Sequence, residues 1–137
     1  MYFKRDIKSL SAVFDFLNGF YQKHGLKEDI SFALNLAVEE IFTNLVKYHQ
    51  GNPNRIRIEL KKEGDKVAAV ISDFDVPPFD PTRAQKNVHA LPLKERPLGG
   101  LGLNLVKKMV DEFKYDYNKQ TKECSITLIK YLGENHV

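Results

Sequence analysis

Apolar residues recur three and four apart through Val13, Phe14, Leu17 and Phe20, the spacing that gathers side chains on one face of a helix. Ser9 stands where a cap would open that helix and Gly25 where the chain would leave it. A longer stripe of Phe32, Leu34, Ala37, Val38, Ile41, Leu45 and Tyr48 predicts a second helix from about Glu28 to His49, stopped by GNPN at Gly51 to Asn54. Elsewhere the pattern changes to strands. Met1 to Ile7 reads as a short one, and RIRIEL and KVAAVISDF form a hairpin about the turn-like KKEGD. The run VAAVI is nearly all apolar, which places its strand centrally. A third helix is expected over Leu103 to Glu112, burying Leu103, Val106, Met109, Val110 and Phe113, and FKYDYN with CSITLIKYL closes the chain as a second hairpin about NKQTKE. Strands joined mostly by hairpins and interspersed with helices predict an α+β fold: a two-layer α/β sandwich, its sheet mixed but mostly antiparallel, its helices on one face.

Composition narrows the classes. The 137 residues suit a single domain spanning 1–137, and 42% apolar with 28% charged residues is a globular balance. A formal charge of +3, with both signs interspersed, gives no basic stripe for nucleic acid. No apolar run reaches membrane-spanning length and the N-terminus lacks a signal-peptide core, so the expected setting is cytoplasmic, with no membrane partner. Cys124 is the sole cysteine, and the four histidines show no metal-ligand spacing.

Chemistry concentrates in three places. Between Val76 and Leu98 lie all but one of the six prolines, a long loop of the kind that often serves function. Gly99, Gly100 and Gly102 follow it at the front of the third helix, where side-chain-free N–H groups can approach an anion. The cluster is neither a dinucleotide fingerprint, since Leu105 stands at the third glycine position, nor a Walker loop, since Leu103 and Asn104 follow Gly102. Taken alone it could simply punctuate a loop. On the second helix, Glu40 and Asn44 are four apart and share a face, a carboxylate and a neutral amide suited to a base and a magnesium ligand, or to an ordinary polar face. Asp73 ends the VAAVIS strand, where a carboxylate can accept from an exocyclic amine or merely begin a turn.

In this order the three features resemble the ATP-binding domain of the GHKL superfamily, specifically the small bacterial anti-sigma-factor serine/threonine kinases, over nearly the whole chain. Glu40-Ile41-Phe42-Thr43-Asn44 matches that family's N box. The resemblance implies that Glu40 serves as base, that Asn44 holds Mg2+, and that Asp73 binds adenine. It also implies that Gly99, Gly100, Leu101 and Gly102 close a phosphate-binding lid, and that Thr127 lies near the adenine. PFDP, Pro78 to Pro81, and ERPLGGLGL are similar to this branch too. One departure stands out. Relatives usually read Asp-x-Gly where this chain reads Asp73-Phe74-Asp75, with one extra residue before PFDP. Aspartate lacks glycine's freedom at positive φ and adds charge near phosphates, which predicts weaker nucleotide affinity or a shifted loop register.

The function so implied is an ATP- and Mg2+-dependent serine/threonine protein kinase that phosphorylates a STAS-domain anti-sigma antagonist in a partner-switching system. A sigma factor is a further partner, and a homodimer is the expected assembly. The alternative, kept alive by Asp75, is a non-catalytic binding module that sequesters a sigma factor or other regulator, with weak or structural ATP binding. A fragment of a histidine kinase ranks behind both, because no dimerisation helix with a phosphoacceptor histidine precedes the first strand.

Overall fold

The computed structural model describes residues 1–77 and 106–133. In chain order these form β1 (Tyr2–Phe3), a 3-10 turn (Ile7–Ser9), α1 (Leu10–His24), α2 (Glu28–Tyr48), β2 (Ile56–Glu63), β3 (Lys66–Asp73), β4 (Glu112–Asn118) and β5 (Glu123–Tyr131). The strands make one sheet in the order β1-β2-β3-β5-β4, with β3 at its centre as its apolar run predicts. All four pairings are antiparallel, so the mixed component expected of the sheet is not present among the described residues.

Alternation along the strands sorts side chains between two faces. Ile56 and Ile58 of β2, Val67, Ala69 and Ile71 of β3, and Cys124, Ile126 and Leu128 of β5 share one core with Val13 and Leu17 of α1 and with Leu34, Val38, Ile41, Phe42 and Leu45 of α2. Both helices therefore cover the same side of the sheet. Full burial of each such large side chain contributes about 1.5–3 kcal/mol, which makes this layer contact the main source of stability. On the opposite side Ala68, Val70, Thr127 and Ile129 line a shallow depression bordered by Lys61 and Lys66.

Several local expectations are corrected. Phe32 is 63% exposed, because it stands two residues from Leu34 and so about 200° round the helix from it. Phe42, four residues after Val38, is fully buried in its place. The first strand stops at Phe3, since the side chain of Asp6 accepts a hydrogen bond from the Lys8 N–H and turns the chain into the 3-10 segment. That segment runs straight into α1, so Ser9 is already helical and caps nothing with its side chain. Gly25 does end α1, in the left-handed conformation at φ 60°. The β2–β3 turn is tighter than KKEGD suggests: Glu63 pairs with Lys66, leaving Gly64 and Asp65 between them. Residues 106–109 are helical, but β4 begins at Glu112, so Phe113 packs from a strand rather than from a third helix.

Candidate functional site

Glu40 and Asn44 project from the second half of α2, where the apolar stripe anchors the helix on the sheet. Asn44 is only 3% exposed, yet neither its Oδ1 nor its Nδ2 has a hydrogen-bond partner among the described residues. The Oε2 of Glu40 is likewise enclosed and has no partner among the described residues. An unpaired buried amide costs free energy unless a ligand, ion or water completes it. Burial raises the Glu40 carboxyl above its ordinary value, the charge of neighbouring Glu39 raises it further, and Lys47 offsets part of the rise. The pair thus presents two oxygens and an amide nitrogen with unused capacity, one turn apart.

Asp73, fully buried at the end of β3, is the opposite case. Arg5, just beyond β1, grips it with both ends of its guanidinium: Nη1 donates to Oδ2 at 3.0 Å and Nη2 donates to Oδ1. The His49 Nδ1 lies 2.9 Å from Oδ2 and the Phe74 N–H donates to Oδ1 at 3.0 Å. Arg5 Nη1 also donates to the carbonyl of Leu45 at 3.2 Å, so the guanidinium bridges the last turn of α2 and the end of β3. Burial alone would push the Asp73 carboxyl up, but the hydrogen bonds and charges of His49 and Arg5 outweigh it and hold the group below its ordinary range. Sequence reasoning missed both partners. His49 carried a faint signal as a polar residue four beyond Leu45 on the buried stripe, and Arg5 carried none.

The segment after Asp73 shows what the missing glycine means. Asp75 adopts φ 57°, the left-handed conformation that favours glycine. It is held there from several sides. Asn52 Nδ2 donates to the carbonyls of Phe74 at 2.9 Å and Asp75 at 3.3 Å, the Val76 N–H donates to the Lys122 carbonyl, and the Tyr117 hydroxyl donates to the Val76 carbonyl at 2.7 Å. The Arg57 guanidinium stacks 5.2 Å above the Phe74 ring.

A family model described as a histidine kinase-like ATPase domain matches residues 3–130. The chain belongs to that family. No curated protein matches it.

Membership in the histidine kinase-like ATPase family implies ATP binding and agrees with the helix-and-antiparallel-sheet architecture. The residues of this ATPase domain fit a magnesium ion at one point: the unpaired Asn44 Oδ1 is a hard oxygen donor of the kind that ion takes. They fit adenine less simply, because the Asp73 carboxylate already holds four donors. Thr127 is not brought to the site. It pairs with Val70 and faces the outer side of the sheet, whereas Asp73 pairs with Cys124, whose side chain is in the core. An odd-numbered step along β5 reverses the face, so Cys124 is the β5 residue beside Asp73. Gly99, Gly100, Leu101 and Gly102 lie outside the described residues, as do PFDP and Leu103. Among the described residues no helix is long and apolar enough to cross a membrane.

Proposed function

We propose that this ATPase domain is an ATP- and Mg2+-dependent serine/threonine protein kinase of the anti-sigma type, acting on a STAS-domain antagonist in a partner-switching system. The observation that supports it most is the unpaired polar capacity of Glu40 and Asn44 on one enclosed helix face, within a chain of the histidine kinase-like ATPase family. Asn44 would hold magnesium through Oδ1, and the ion, when bound, would neutralise charge on the phosphates. Glu40 would accept the proton of the substrate hydroxyl as that oxygen bonds to the γ-phosphorus and the bond to the departing ADP breaks. Its raised pKa moves it toward the range where a carboxylate can act as base. By resemblance, Gly99 to Gly102 bind the phosphates. A sigma factor as second partner and a homodimer complete the proposal.

The test is transfer of labelled phosphate from ATP with magnesium to candidate STAS proteins. Glu40→Ala should keep ATP affinity and lose transfer, and transfer at the parent rate would overturn the catalytic role of Glu40.

A second reading is supported by the occupied carboxylate of Asp73 and the left-handed Asp75: a regulatory module that sequesters a sigma factor or other regulator, with ATP bound weakly or as a structural element. For such a module Glu40→Ala would leave partner-dependent activity intact.

A further inference from the structure

A carboxylate offers about four lone-pair positions to donors. At Asp73 all of them are taken from within the protein: Oδ2 by Arg5 Nη1 and His49 Nδ1, Oδ1 by Arg5 Nη2 and the Phe74 N–H. The side chain has no exposure through which water could substitute for one of these donors. Arg5 is nearly as enclosed, its side chain only 6% exposed, and its Nε has no partner among the described residues. Pulling the guanidinium away would leave a buried cation with the Leu45 carbonyl as its remaining anchor. A neutral amine returns less than the two-pronged, charge-assisted bond it would displace.

We infer that Arg5 is the specificity-determining residue of the nucleotide site: by filling Asp73 it prevents that carboxylate from reading the exocyclic amine of adenine, so base recognition by Asp73 emerges only when Arg5 is removed. The inference rests on the nucleotide-binding reading above. On that reading the exocyclic amine contributes little to the intact protein's affinity for a purine triphosphate.

The experiment compares two ligands by calorimetry with magnesium: ATP and the purine riboside triphosphate that lacks the amine. The intact chain should bind them within about threefold of each other. In Arg5→Ala, ATP should gain about tenfold over the amine-less analogue, the worth of one hydrogen bond to a charged acceptor. If Arg5→Ala loses the sheet signal in circular dichroism, Arg5→Met keeps much of the side-chain volume, removes every side-chain donor that residue 5 offers Asp73 and carries the same expectation. A tenfold preference for ATP in the intact chain, or equal affinities in the folded variant, overturns the role of Arg5 alone. Failure of both proteins to bind either triphosphate overturns it together with the nucleotide-site reading.

Discussion

The hydroxyl of Tyr117 donates to the carbonyl of Val76 at 2.7 Å, joining edge strand β4 to the segment that leaves β3 just after Asp73 and Asp75. Val76 is 1% exposed, so its carbonyl has little water to turn to. Tyr117→Phe should cost about 1 kcal/mol, read as a lower urea midpoint with an unchanged slope.

Acid should weaken the fold through Asp73. Its folded pKa lies below the ordinary 3.8, so around and below that value the unfolded chain binds more protons. The stabilisation is complete above the unfolded pKa and fades as pH falls toward the folded one. In Asp73→Asn the acid limb of a stability-versus-pH curve should flatten. At neutral pH the same variant should lose about 3–5 kcal/mol, since Arg5 is left buried without its counter-charge.

Glu40 has the reverse sign. With a folded pKa raised above 4.5, the native state holds its proton longer than the unfolded chain does, so stability falls as pH rises between the two values. Glu40→Gln should therefore melt at a higher temperature than the parent at pH 7 and at about the same temperature near pH 4. If Glu40 has the proposed catalytic role, that gain in stability would come with a loss of activity.

Asp75→Gly removes a side chain from a left-handed position and should raise stability by about 1 kcal/mol in denaturant titrations. On the proposed nucleotide reading it should also tighten ATP binding with magnesium present, because a negative charge would leave the neighbourhood of the phosphates. Unchanged affinity would place this loop away from the nucleotide.

Two phenylalanines on α2 test the layer packing. Phe42→Ala empties a fully buried position and should cost about 3–5 kcal/mol, whereas Phe32→Ala, at a site 63% exposed, should fall within about 0.5 kcal/mol of the parent.

Those two residues also show how far the sequence could be read. The helical stripe and the central VAAVI strand follow from local periodicity, which sequence displays directly. Phe32 and Phe42 are both apolar and both close to the stripe, and about 100° of rotation per residue decides between core and solvent. Glu40 and Asn44 were legible because their spacing is local, four residues along one helix. The Arg5 contact with Asp73 was not, since 68 residues separate them and no local pattern records a pairing made by the sheet. The position of Thr127 was hidden for a similar reason: the face a strand residue takes is set by the ladder, where Thr127 meets Val70 and Asp73 meets Cys124.

β1 is two residues long, and its pairing with β2 delivers Arg5 to the end of the central strand β3. The opening residues are accordingly not a tail that can be trimmed. A version shortened by its first five residues would lose an edge strand and also uncover a buried anion, so in this chain truncation acts as a mutation of the site.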